Sequence, residues 1–189
     1  MSNTATLWLI FGSGLSVVST YRCFDFGCVF TNSEPPPWPN LEAGVFQPNA
    51  FIQVKPDGSV LLTVSKAEMG QGVTTGFATL VAEELDADWS TVVVEGAPAD
   101  AKRYANTLWG PNQGTGGSTA IANSFMQMRQ AGATARAMLV AAAAEQWKVP
   151  ASEIVVSKGI VSHGSGKSAT FGELADAAAS QPVPENPKL

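Results

Sequence analysis

The chain has 189 residues, 45% apolar and 14% charged, enough apolar material for a buried core and too much for a disordered protein. A formal net charge of −5 argues against nucleic acid as a partner. Two cysteines, Cys23 and Cys28, and a single histidine, His163, are too few for an iron–sulfur cluster held by this chain alone or for a closed structural zinc site.

In chain order, Leu7 to Val18 is apolar but broken by Gly12, Ser13, Gly14 and Ser16. It is short for a bilayer span and resembles the apolar part of a secretory signal, though no Lys or Arg precedes it. Export and retention in the cytoplasm both stay open. Cys23 and Cys28 read as a disulfide in an exported chain and otherwise as unpaired thiols. Glu34 to Asn40 contains three consecutive prolines, which forbid helix. Residues 1–46 are therefore expected to be a weakly structured leader and linker, and residues 47–189 the globular part.

Phe51 to Lys55 alternates, Asp57-Gly58 is a turn signal, and Val60 to Val64 resumes, so a β-hairpin is expected. Val73, Phe77, Leu80, Val81 and Leu85 recur at helical spacing. Thr91 to Glu95 is β-branched and reads as a strand. Ala97 to Thr115 is polar, rich in Pro, Asn and Gly, and expected to lack regular structure. A long helix follows from Ala120 to Trp147, stopped by Pro150, with small residues in its middle that allow close approach of another element. Arg129 and Arg136, seven apart, are expected on its solvated side. Ile154 to Ser157 and Gly159 to His163 read as strand or hairpin, and Thr170 with Glu173 forms a capping-box pattern for a helix through Ala179.

Two glycine-rich loops each run into a helix: Gly70-Gln71-Gly72, and Gly114-Thr115-Gly116-Gly117-Ser118. Neither contains Lys or Arg, so an anion there would be held by backbone N–H, hydroxyls and helix dipoles. The Gln71 amide offers a donor and an acceptor together, suited to the edge of a heterocycle. Ordinary helix-start turns are the plain alternative. Gly70, Gly72 and Gly76 also resemble a dinucleotide fingerprint, with Glu95 as the ribose acid. Against it, five residues separate the strand from Gly70, and that strand lies in a hairpin. Gly164 to Ser168 lacks the first glycine of a phosphate-binding loop and reads as a turn. His163 reads as surface, with no Ser–His–acid set to join.

Glu68-Met69-Gly70-Gln71-Gly72-Val73, Val81 to Trp89 and Gln113 to Thr119 together resemble one family. It is the molybdopterin-binding large subunit of the xanthine dehydrogenase and aldehyde oxidase superfamily, in particular its isoquinoline 1-oxidoreductase branch. The resemblance covers about Pro48 to Leu189 and extends through Arg129-Gln130-Ala131-Gly132. It implies an α+β fold: a layered sandwich with a mixed or antiparallel sheet and one long helix, part of a larger subunit. It implies a molybdenum–molybdopterin cofactor, in bacterial members the cytosine dinucleotide form, bound by Gly70, Gln71, Gly72, Gly116, Gly117, Ser118 and Thr119. It further implies oxidation of an aldehyde or N-heterocycle with oxygen from water, and electrons passed to a small partner subunit bearing 2Fe–2S clusters. Ala120 stands where the branch commonly has a serine. The family's catalytic glutamate has no counterpart here, Glu68 does not take that role, and no catalytic or metal-ligating residue is assigned. The chain reads as an N-terminal piece of a longer subunit. A non-catalytic nucleotide- or pterin-binding domain is the alternative.

Overall fold

The computed structural model describes residues 44–189 throughout and, before them, the backbone of three strands. These are β1 (Thr4–Leu7), β2 (Ser19–Phe24) and β3 (Gly27–Phe30), antiparallel in the order β1-β2-β3. The region expected to be weakly structured thus holds a β-meander, with Cys23 opposite Cys28 in the β2–β3 register. The two thiols, the apolar run after Leu7 and the proline segment lie outside the described residues. Residues 1–39 and 40–189 form separate compact units.

In the second unit the core begins one residue before the expected boundary. Phe46 is fully buried and bridges Val54 through hydrogen bonds of 2.9 and 2.8 Å. The expected hairpin forms from β4 (Ile52–Val54) and β5 (Val60–Val64), with Asp57 accepting from Ser59 N–H in the turn. After β5 come α1 (Val73–Leu85) and then β6 (Val92–Gly96), which pairs with β5 in parallel from Val60 opposite Val92 to Val64 opposite Gly96. The sheet is mixed, and β5–α1–β6 is a βαβ unit.

The segment after β6 is not structureless. It contains α2 (Ala101–Tyr104) and a 3₁₀ turn at Thr107–Trp109, both capped by preceding side chains, Asp100 and Asn106. Tyr104 and Asn106 are buried there. The long helix α3 (Thr119–Trp147) follows, then β7 (Ile154–Ser157), β8 (Ile160–His163), β9 (Ser168–Thr170) and α4 (Phe171–Ala179). Strand β9, unforeseen in the sequence, completes a second antiparallel sheet. Both halves of the capping box are made: Thr170 N–H donates to Glu173 at 2.7 Å and Glu173 N–H to Thr170 Oγ1 at 3.2 Å.

Helix α3 is the central element. Residues 131–135 are all buried, because α1 packs on one flank and α4 on another. A Cβ on Gly132 would lie 2.9 Å from Val81 O, so the small residues do bring α1 close. Val73, Phe77, Val81 and Leu85 of α1 are fully buried, Leu80 only partly. Burial of each such apolar side chain stabilises the fold by roughly 1.5–3 kcal/mol relative to exposure.

The two arginines of α3 are not simply solvated. Arg129 pairs with Glu84 and lies over the Phe125 ring, and Arg136 reaches Asp86 at 2.8 Å. Gly76 faces Ile121, Glu84 faces Arg129 and Asp86 faces Arg136. The partners advance together, so α1 and α3 run parallel and their N-termini share one end of the domain.

Candidate functional site

Both glycine loops arrive at this shared end. They are joined where Ala67 N–H donates to Thr115 Oγ1 at 2.8 Å. The dipoles of two parallel helices therefore place their positive ends side by side.

The first loop is exposed from Glu68 to Gly72. Gly70 and Gly72 have φ of 90° and 78°, a left-handed backbone that favours glycine. The Gln71 side chain braces its own loop: Oε1 accepts from Met69 N–H at 2.6 Å and Nε2 donates to Ala67 O at 2.7 Å. An amide has two donors and two lone pairs on its oxygen. One of each remains, held in a fixed orientation toward solvent.

The anion that α1 attracts is internal. Glu68 Oε1 accepts from the N–H groups of Gly70 and Gly72 at 2.8 and 2.9 Å, and Oε2 from Thr74 N–H at 3.0 Å. These bonds, the one from Thr74 foremost, hold the Glu68 pKa down at about 2, against an ordinary 4.5. Glu68 caps the helix. A dinucleotide phosphate at α1 would have to displace it, and Glu95 is already accepting from Thr63 Oγ1 at 3.2 Å. The fingerprint reading fails on the Glu68 contact, although β5–α1–β6 is a parallel unit after all.

The second loop differs. Cβ atoms on Gly114 and Gly116 would lie 2.7 and 3.0 Å from the Trp109 ring, so these glycines make room for an indole. Gly117 and Ser118 are both left-handed, with φ of 58° and 56°. For serine this costs about 1–2 kcal/mol. It is the one non-glycine residue among those described that begins an α-helix in this conformation. The Ser118 side chain makes no capping bond, and among the described residues no other side chain accepts from the first N–H groups of α3; Thr119 N–H itself turns back to Gly116 O at 3.2 Å. Thr119 faces inward: its hydroxyl donates to Gly116 O at 2.8 Å and accepts from buried Asn106 Nδ2 at 2.7 Å. It holds the loop from a half-buried position, whereas Ser118 is exposed.

Beside the second loop lies a cleft of about 260 Å³, lined by Ser65, Lys66, Gly96, Gln113, Gly114 and Thr115 among others. It sits at the carboxyl ends of parallel strands β5 and β6, where open sheets with parallel strands bind ligands. Lys66 is 4% exposed, and its Nζ is buried without a hydrogen-bond partner among the described residues. Burial pushes the lysine pKa below its ordinary 10.5. Lys66 was missed in the sequence because it lies upstream of both motifs and reads as a solvated strand end.

A larger cleft of about 370 Å³ lies at the opposite end of α1, lined by Glu83, Asp86 and Lys158. Neither loop reaches it. His163 does find company: Ser165 Oγ is 2.8 Å from Nδ1 and Glu153 is 2.9 Å from Nε2. The hairpin register, Ile154 opposite His163, brings Glu153 alongside. This Ser–His–Glu set borders neither cleft, and it clasps a hairpin turn.

The chain matches the molybdopterin cofactor-binding domain over residues 4–188. It belongs to that family. It is 45% identical over 141 residues to the isoquinoline 1-oxidoreductase subunit beta of Brevundimonas diminuta, covering 74% of this chain and 18% of that protein. It is 34% identical over 131 residues to the membrane-bound aldehyde dehydrogenase [pyrroloquinoline-quinone] of Gluconacetobacter polyoxogenes, covering 69% of this chain and 16% of that one. The fold is similar to that of the reconstituted CO dehydrogenase from Oligotropha carboxidovorans, with a TM-score of 0.54 and 25% identity over 73% of this chain and 17% of that one. The chain spans less than a fifth of the length of these relatives.

The residues present fit a molybdopterin cofactor. An orphaned ammonium, an uncapped helix start and a braced amide converge on one end of the domain, as a ligand with anionic and heterocyclic parts requires. Among the described residues no group of three His, Cys, Asp or Glu could hold a metal directly.

Proposed function

We propose that this chain forms part of the large subunit of a molybdenum hydroxylase that oxidises an aldehyde or an N-heterocycle. The observation that carries the reading is the Ala67 N–Thr115 Oγ1 bond between the two loops, at the end where two parallel helices begin. Bound molybdenum–molybdopterin, in its cytosine dinucleotide form, supplies two-electron oxidation with oxygen taken from water. Gly70 and Gly72 let backbone approach the pterin, and Gln71 presents its remaining donor and acceptor to the ring edge. Gly116, Gly117 and Ser118 hold the anionic part at the start of α3, and Thr119 fixes that loop from within.

The substrate classes follow the names of the relatives, an isoquinoline oxidoreductase and an aldehyde dehydrogenase. Met69, Leu108, Trp109, Ile121 and Phe125 are exposed around the loops, and further sequence of the subunit covers them. One relative is by name a subunit beta, which supports a partner subunit; we assign to a small partner the 2Fe–2S clusters that take the electrons.

The test is purification of the holoprotein with whatever accompanies it. Molybdenum, a pterin that fluoresces after oxidation, released cytidine monophosphate and a co-purifying iron protein are expected. Product from isoquinoline or an aldehyde should carry oxygen-18 from labelled water. Tight binding of a plain nucleotide, with no molybdenum and no pterin, would instead establish the non-catalytic binding domain.

A further inference from the structure

We propose that Lys66 is an anion-recognition residue, its ammonium set in the cleft at the carboxyl ends of β5 and β6 to receive a phosphate or diphosphate group. The identity of the molecule carrying that group rests on the cofactor reading; the anion site itself does not.

Four observations meet here. Lys66 is 4% exposed as a residue, and its Nζ is buried with no hydrogen-bond partner among the described residues. A buried cation without a partner is costly, and such groups persist where something else supplies the counter-charge. Next, the cleft lining among the described residues holds no carboxylate, which leaves the counter-charge for a ligand to supply. Third, the hydroxyl of Thr115 accepts from Ala67 N–H, which leaves its own proton free to donate. Gln113 is braced as a wall in the same way as Gln71: Oε1 accepts from Asp100 N–H and Nε2 donates to Pro98 O. Fourth, the loop that forms this wall leads within four residues to the uncapped α3 start, where Gly117 and Ser118 adopt successive left-handed conformations. They close a turn in which Thr119 N–H donates to Gly116 O at 3.2 Å, and the following N–H groups of α3 remain for an anion at the positive end of the helix dipole. A tetrahedral oxyanion presents several acceptor oxygens. It satisfies an ammonium on one side and hydroxyl and backbone donors on the other, which a single carboxylate does less fully.

Glu68 sharpens the assignment. The neighbouring helix start already has an anion, so an incoming phosphate is directed away from α1. Lys66 and the α3 start remain open to it.

The experiment uses the full 189-residue chain and its Lys66→Met and Lys66→Arg variants, melted at constant ionic strength over a titration of inorganic diphosphate. Diphosphate should raise the melting temperature of the parent chain. Lys66→Met, which removes an unpaired buried charge at similar volume, should melt higher than the parent without diphosphate and respond to it at least about tenfold more weakly. Lys66→Arg should keep the response. Cytidine 5′-diphosphate binding more tightly than inorganic diphosphate would mark an anion carried on a nucleotide, and equal binding a free one. A Lys66→Met chain that melts lower, fails to fold, or responds as the parent does would overturn the assignment. Molybdenum content of the holoprotein separates the two readings. Normal molybdenum with no diphosphate response removes Lys66 and leaves the cofactor. A Lys66-dependent response in a protein that never holds molybdenum does the reverse.

Discussion

The starts of α1 and α3 are alike in sequence and opposite in chemistry. Both follow glycine-rich loops, both lack Lys and Arg, and both have a left-handed residue at the cap position, Gly72 and Ser118. At α1 a carboxylate four residues upstream folds back and takes the N–H groups of Gly72 and Thr74. At α3 no side chain among the described residues does so, and only Thr119 N–H is taken, by Gly116 O. The position matching Glu68 is Gly114, whose missing side chain is the space the Trp109 ring fills. One helix start is therefore closed by the chain itself, while at the other an indole excludes a side chain from the position that caps the first. Glycine-rich sequence before a helix does not identify an anion site; what the upstream side chain does decides it.

The largest expected effect comes from making α3 resemble α1. Ser118→Asp places a carboxylate at the open start in a conformation that Asp tolerates better than most residues. It should stabilise the helix by about 0.3–1 kcal/mol. It should also repel a phosphate, by several kcal/mol at contact distance with an effective dielectric of about 20, and so lower molybdenum retention roughly a hundredfold. A variant that melts higher and is nearly empty of molybdenum is the signature. If the same protein stays fully loaded, the α3 start is not the anion site.

Gln71→Leu comes next. It removes the remaining donor and acceptor and also the two bonds that brace the loop, to Met69 and Ala67. Unpaired polar groups left in a closed site cost roughly 1–3 kcal/mol, so molybdenum per chain should fall about tenfold. The loop is exposed, and the melting temperature should move little. A large melting shift at constant molybdenum would make Gln71 a brace alone.

How much of this contrast was legible beforehand follows from what is local. The β4–β5 hairpin, α1 and the Thr170–Glu173 capping box lie in short windows of periodicity and turn chemistry, and their expected positions hold. The β5–β6 pairing is parallel and spans α1, so no turn residue announces it. Lys66 is invisible for the same reason. A lysine at a strand end reads as solvated, and the wall that buries it, Gln113 to Thr115, lies nearly fifty residues away. Arg129 and Arg136 read as surface until α1 supplies Glu84 and Asp86. The family resemblance located both loops. It did not distinguish the capped start from the open one, because Glu68 acts through a reach across the loop that spacing rules for capping boxes do not describe.

A smaller effect is confined to α1. The Glu68 pKa is held near 2, against 4.5, so the folded state binds fewer protons than the unfolded state between these values. Its contribution to stability is present above pH 4.5 and is lost as pH falls toward 2. In Glu68→Gln that part of the acid dependence should vanish, and the variant should melt slightly lower at neutral pH. Molybdenum retention should stay unchanged, since α1 uses its anion internally. Raised or lowered retention would tie Glu68 to the ligand and dissolve the contrast between the two helices.

The smallest effect is expected where the resemblance alone would place a direct contact. Ser118→Ala removes a hydroxyl that makes no capping bond in the structure. The backbone N–H groups at the start of α3 remain, and so does the left-handed conformation, whose penalty for alanine is much the same as for serine. If the anion is held by backbone and by Lys66, molybdenum content should stay within about twofold of the parent, a change of under roughly 0.5 kcal/mol. The informative comparison is with Ser118→Asp, purified alongside. A hundredfold gap between two substitutions at one position would show that charge at the α3 start decides retention. A loss in Ser118→Ala as deep as in Ser118→Asp would instead show that the serine oxygen itself carries the contact, and that the open N–H groups of α3 do not.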